Sequence, residues 1–385
     1  MCDDLNGVAR CGMESVALNT YITTQIELKK LKFHVPDKNG KSKCHKIHIG
    51  KNHDTCPVLR VHGTVMESVT HDTYLGDVIS GDGRNTKNVS KRISRGIGIS
   101  SQIVNLLRDI CLGEHYIEIA LLLRESMFIN SVLTNAEIWY LLKKEEIKQL
   151  EDLDKTLLKK ILKVPFSTPG EAYFLELGIL PLGVIIKARR LNYLHYIITR
   201  EESEMLYRFF MTQWNNEVYG DWTKEVKTNL EEFGIPCDLD HIRSMTTEKF
   251  KSLVKIKANE YALGLLHELQ GTHSKMSDLY YPELKLQDYF KTPGIETKEI
   301  LNLFKWRTRM TPLGENYRGD QGHILCPLCS NHLDNQPGLL QCEEIRKLTE
   351  IEVKMEDVLC ERVNLKTAKK ITEILEIREI LMKEK

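Results

Sequence analysis

Two glycines within three residues, Gly81 and Gly83, separate stretches whose apolar residues repeat at different intervals. Before them Tyr74, Leu75, Val78 and Ile79 read as a short strand. After them Val89, Ile93, Ile97, Val104, Leu107 and Cys111 fall mostly three or four apart, which predicts a helix from about Lys87. The loop Ser80-Gly81-Asp82-Gly83 has the residue types of a tight turn, because glycine reaches backbone angles that other residues avoid. A strand must therefore turn sharply into a long helix here, and the rest of the chain has to accommodate that junction.

The helix is also charged on one side. Between Gly83 and Arg108 the basic residues are Arg84, Lys87, Lys91, Arg92, Arg95 and Arg108, with no acidic residue among them. Lys87, Lys91 and Arg95 recur at every fourth position, so they share one face. Since the chain carries 54 basic and 54 acidic residues, this excess is local. Such a stripe suits a phosphate backbone, where each contact releases counterions. The plainer alternative is a solvated helix face opposite an apolar one.

Downstream the pattern is almost entirely helical, giving a mainly α fold with a small β portion. A helix over Ser15 to Leu31 precedes a hairpin signal at Asn39-Gly40. Apolar spacing then predicts helices from Tyr116 to about Leu142, from Ile147 to Val164 before Pro165, and from Leu182 to Thr199. Thr168-Pro169-Gly170-Glu171 has capping-box spacing, with Gly178 closing a short helix. Asp221 and Gly234 are placed to bound a helix from Trp222, and Phe233 to His241 reads as a linker. Further helices are expected over Phe250 to Leu269, Thr297 to Met310, and the C-terminal Ile371 to Leu381. Arg189 and Arg190, beside Tyr193, His195 and Tyr196, mix cations and aromatics as single-strand binders do. At helical spacing the same residues also suit packing.

The chain has 385 residues, 42% hydrophobic and 28% charged, the composition of an ordinary globular protein of two or three domains. It contains no run of 18 apolar residues, so no membrane span is expected, and the acidic start MCDDLNG does not read as a secretory signal. Ten unevenly spread cysteines point to a reduced, intracellular setting, nuclear or cytoplasmic. The one close pair, Cys326-Pro327-Leu328-Cys329, with Cys342 following, has the spacing of a zinc turn. His332 or His323 is available as a fourth ligand.

With these residues in view, the chain resembles the C-terminal part of a non-LTR retrotransposon reverse transcriptase. The resemblance rests on Tyr74-Leu75-Gly76 followed by a basic helix, on NAEIWY (Asn135 to Tyr140) and on RRLNYLHYI (Arg189 to Ile197). It implies that Tyr74, Leu75 and Gly76 form a primer grip, with the following helices as a thumb. It further implies that Arg84, Lys87, Lys91, Arg92, Arg95, Arg189 and Arg190 face RNA, DNA or an RNA–DNA hybrid. Asp3 and Asp4 match the catalytic Asp-Asp turn that would hold magnesium, and Lys43 matches a lysine near the incoming nucleotide. The family's terminal knuckle, Cys-x2-Cys-x8-His-x3-Cys, maps onto Cys326, Cys329 and Cys342, with Gly338 where the histidine would stand.

The implied division is a palm remnant (1–83), a helical thumb (84–235), a helical connection (236–320), a degenerate knuckle (321–345) and a C-terminal helix (346–385). Fingers and the strand bearing a third aspartate are missing, so the chain is expected to bind primer–template or RNA without polymerising alone. Two alternatives are a non-enzymatic nucleic-acid-binding protein and a helical scaffold that binds protein through residues 250–385.

Overall fold

The structure, a computed structural model, describes residues 17–18, 20–21, 45–47, 58–61, 64–74, 76–109, 113–216, 221–272, 276, 278–317, 324–359 and 363–384. Among these the fold is mainly α, as expected, with three two-stranded sheets. The chain divides into two units, residues 1–92 with 138–146 and residues 93–137 with 147–385.

The described part of the first unit holds all six strands. β1 (His45–Lys46) runs parallel to β4 (Glu67–Ser68), and β2 (Arg60–Val61) is antiparallel to β3 (Thr64–Val65). β5 (His71–Tyr74) and β6 (Asp77–Ser80) form an antiparallel hairpin, with Tyr74 opposite Asp77. The expected single strand is thus two, because Gly76 takes φ +91° between them. Helix α1 (Thr86–Asp109) then begins one residue before the position read from the sequence.

The junction into α1 is held by the segment 138–146. The Asn85 side chain donates to the Tyr140 carbonyl at 2.9 Å, and the Tyr140 hydroxyl donates to the Gly83 carbonyl at 3.1 Å. Glu146, buried, accepts from the Thr86 hydroxyl at 2.5 Å and from the Lys143 amide at 2.8 Å. Each bond satisfies a polar group that the turn would otherwise leave unpaired.

In the second unit, the helix from Tyr116 ends at Val132, ten residues short of the expected Leu142. α2 (Tyr116–Leu123) passes into a π turn, Arg124–Ile129, and one last α turn. Arg124 in the π turn pairs through two nitrogens with Asp154 of α3 (Lys144–Leu162) at 2.8 and 2.5 Å. α4 (Gly170–Leu177) has Pro169 at its N-cap with no side-chain cap, so the expected capping box does not form. Proline has no amide hydrogen to contribute there. Gly178 does close α4, in the left-handed conformation at φ +62°.

One contiguous core joins α5 (Leu182–Ile198), α6 (Met205–Asn215), α7 (Trp222–Glu232), α8 (Leu239–Ser244) and α9 (Thr247–Gly271). Phe250, Val254, Ala258, Ala262 and Leu266 form an inward row at every fourth residue of α9. Burying each large side chain of this kind contributes about 2 kcal/mol. The segment read as a linker contributes to this core, with Phe233 and Ile235 buried and Leu239 packed against it. Gly234, Pro236, Cys237 and Asp238 are exposed, as a linker's residues would be, while the apolar residues among them pack inward. Asp221 caps α7 by accepting from the Lys224 amide at 2.9 Å, as its position predicts.

The remainder comprises α10 (Thr297–Arg307), α11 (Gly314–Tyr317), α12 (Gln336–Gln341), α13 (Glu343–Arg346), α14 (Met355–Leu359) and α15 (Leu365–Glu384). α10 and α15 pack along each other. No helix among the described residues is long and apolar enough to cross a membrane.

Candidate nucleic-acid interface and metal centre

Helix α1 sorts its cations by face. Val89, Arg92, Gly96, Ser100, Ile103 and Leu107 are buried, three or four residues apart. Ile97, expected inside, is 56% exposed. The apolar pattern misleads here because small residues occupy the contact. A Cβ on Gly96 would come within 2.7 Å of Leu153 and 2.8 Å of Val132, so the neighbours fill the glycine's space.

Lys87, Lys91 and Arg95 are exposed on the other side of α1, as is Arg84 in the preceding turn. The Lys91 ammonium donates to the Gly76 carbonyl at 3.2 Å and lies 3.4 Å from the Thr73 hydroxyl. Lys87 lies 2.8 Å from His71 Nδ1. These partners sit on the β5–β6 hairpin, so the glycine of the Tyr-Leu-Gly motif lies beside Lys91 within the first unit. Among the described residues no carboxylate lies in ion-pair range of Lys87, Lys91 or Arg95. The Asp82 carboxyl is held below its usual range by the Arg84 amide and the Ser80 hydroxyl, with the Arg84 and Lys87 charges adding to the effect. Tyr74 is half-buried at the end of β5.

Arg92 does not belong with these cations. It is buried, with Nη2 2.6 Å from Asp77 Oδ1, and the same carboxylate oxygen accepts from Asn88 at 3.1 Å. Asn88 in turn accepts the Val78 amide at 3.3 Å. Arg92, Asn88 and Asp77 therefore lock β6 to α1 and position the stripe.

Arg189 and Arg190, expected to face nucleic acid, are instead engaged within the fold. Arg189 donates to the Leu133 carbonyl at 2.6 Å and to Asn130 at 3.3 Å, which occupies it at the end of the 116–132 helix. Arg190 is buried against Glu225 at 2.7 Å and Asn229 at 2.7 Å. Burial holds its pKa below the usual value against the pull of Glu225 and Glu232. The aromatics nearby are packing residues. Tyr193 stacks on Tyr196 and meets Trp222 edge-on, and buried His195 stacks on Phe250. Asp3 and Asp4, which would hold magnesium, and Lys43 and Leu75 lie outside the described residues.

In the second unit, Cys326, Cys329 and Cys342 come together with sulfurs all within 4.8 Å of one another, a cluster that could bind a metal ion such as zinc. Backbone geometry brings them there. Leu325 pairs with Leu333 in an antiparallel bridge, and the Cys326 amide donates to the His332 carbonyl at 2.7 Å. The Ser330 amide donates to the Cys326 carbonyl at 2.8 Å, and Ser330 takes φ +57° to close the turn. Cys342 sits at the N-cap of α13.

The two flanking thiols are tuned in opposite directions. Burial alone would raise the Cys329 thiol, but the Asn331 and His332 amides and the neighbouring sulfurs bring it below its usual value. Burial pushes the Cys342 thiol up to about 11, against the Ile345 and Glu344 amides. His332, expected as a fourth ligand, is not part of the cluster; its carbonyl serves the turn instead.

Two positions escaped sequence reasoning. Arg378, buried on α15, points Nη1 at Cys326 Sγ at 3.9 Å and holds Asp334 through Nη2 at 2.8 and 3.0 Å. Asp334 also accepts the Gly314 amide at 2.6 Å. Neither residue sits at a motif spacing, and an arginine 52 residues from Cys326 carries no local signal.

No family model, no curated protein and no solved structure matches this chain.

Proposed function

We propose that the chain is the nucleic-acid-holding C-terminal part of a non-LTR retrotransposon reverse transcriptase, gripping a primer–template or RNA–DNA hybrid by its phosphates. Arg84, Lys87, Lys91 and Arg95 make the contacts, and the Gly76 turn sits beside them. The observation that carries this reading is the exposed face of α1, where three cations stand four residues apart with no carboxylate in ion-pair range among the described residues. A structural role would call for acidic partners, as Arg92 and Arg190 have. Phosphate contacts of this kind supply affinity and register without reading sequence. Catalysis at Asp3 and Asp4 would require the fingers and third aspartate of the resembled family.

The test is fluorescence anisotropy of the full chain on a labelled RNA–DNA duplex across a salt series. The three cations of α1 contribute about −2.7 to the slope of log K against log salt, and Arg84 adds to it. The triple variant Lys87→Glu, Lys91→Glu, Arg95→Glu should remove that contribution and weaken binding steeply. Undiminished binding by the triple variant would sink the reading.

A further inference from the structure

The cysteine cluster differs from the knuckle of the resembled family in a way that the missing histidine alone does not explain. Gly338 stands where that histidine would be, and a Cβ built on it would lie 1.9 Å from the Leu333 carbonyl oxygen. That oxygen belongs to backbone fixed by the Leu325–Leu333 bridge, so it cannot swing aside as a side chain would. The Gly338 amide is committed to Asn335 Oδ1 at 2.8 Å, which caps α12. The backbone is therefore built around glycine, and no ligand atom can enter from this position without rebuilding the turn.

All three sulfurs nevertheless have N–H donors directed at them. Arg378 supplies Cys326, the Asn331 and His332 amides supply Cys329, and the Ile345 and Glu344 amides supply Cys342. The three sulfurs themselves lie within 4.8 Å of one another, close enough to share one ion. Arg378 is itself buried and fixed by Asp334, so its direction toward Cys326 is built in.

We propose that Cys326, Cys329 and Cys342 bind one zinc-class divalent ion as a three-thiolate centre whose fourth position is left to an exogenous ligand. Closed structural zinc sites use four protein ligands, whereas a three-ligand set leaves a position that small donors can enter. Arg378 is a positioning residue that orients Cys326. The site does not depend on the nucleic-acid reading, because the two share no residue.

The test is cobalt(II) titration of the full chain under reducing conditions, read by absorption. The expected result is one ion per chain, with sulfur-to-metal bands that weaken in each of Cys326→Ser, Cys329→Ser and Cys342→Ser. Added imidazole should shift the visible bands of the unmodified protein, and His332→Ala and His323→Ala should leave the spectrum unchanged. Gly338→His should fail to tighten binding, and Arg378→Leu should weaken it about 10- to 100-fold. Three outcomes overturn the proposal: no bound cobalt, bands indifferent to imidazole, or a spectrum changed by either histidine variant. The imidazole measurement uses unsubstituted protein, so a variant that misfolds does not remove the test.

Discussion

Arg92 Nη2 lies 2.6 Å from Asp77 Oδ1, and this buried pair divides helix α1 into a packing side and a free side. Asn88 joins the same carboxylate one turn earlier. Lys91, the immediate neighbour of Arg92, is exposed and reaches only neutral oxygens of the hairpin. Two adjacent cations thus have separate tasks, one inside the fold and one on its surface.

That division separates two substitutions. Lys91→Glu should leave the folding midpoint nearly unchanged while weakening duplex binding and lowering the salt slope by about 1 or more. Arg92→Gln should do the opposite, costing about 3 kcal/mol because Asp77 keeps Asn88 but loses its counter-charge. Urea denaturation and anisotropy on the same two proteins check both halves. Equal loss of stability in the two would contradict the assignment of faces.

Glu176 and Arg307 form a second buried pair, 2.9 Å apart, with the Tyr281 hydroxyl 2.6 Å from the same carboxylate oxygen. Arg307 also donates to the Val358 carbonyl at 2.8 Å, which ties α4, α10 and α14 together. Arg307→Leu should cost about 3 to 5 kcal/mol, since it strands a buried carboxylate. The double variant Glu176→Gln, Arg307→Leu should be milder than Arg307→Leu alone. Chemical denaturation of the two proteins measures the difference.

Gly178 and Gly234 share φ +62°, yet only one has a crowded neighbour. A Cβ on Gly178 would lie 2.0 Å from the Lys285 carbonyl carbon, whereas one on Gly234 would meet nothing within 4 Å. Gly234→Ala should therefore cost about 1 to 2 kcal/mol, the strain of left-handed backbone. Gly178→Ala should cost well above that, because backbone must move. Thermal melts of the pair separate conformational strain from close approach.

The chain should lose stability in alkali. Burial pushes the Tyr281 and Tyr289 hydroxyls well above the usual 10.0, with the Glu176 charge adding to it, and burial likewise raises Tyr173. A raised folded-state pKa means that the folded form binds these protons more tightly. The stabilisation is complete below pH 10 and is lost as pH rises toward the folded-state values. Denaturation midpoints at pH 9 and pH 11 should differ, and Tyr281→Phe should shrink the difference. Tyrosine absorption should show these rings titrating only as the protein unfolds.

What the sequence determined by itself is local. The period of apolar residues placed the helices, Asp221 and Gly178 marked ends that the structure keeps, and the fourfold spacing of Lys87, Lys91 and Arg95 put them together on one exposed face. Each of these depends on residues within a turn or two of one another, so composition and spacing are enough. What only the tertiary structure decided is which charges meet partners far along the chain. Arg92 finds Asp77, Arg190 finds Glu225, and Arg378 reaches Cys326, pairings that no spacing rule encodes. Gly338 reads in sequence as the loss of a ligand, yet it, like Gly96, is the space that another segment occupies. Close packing is a property of surfaces brought together by the fold, and a single chain read in order does not contain it.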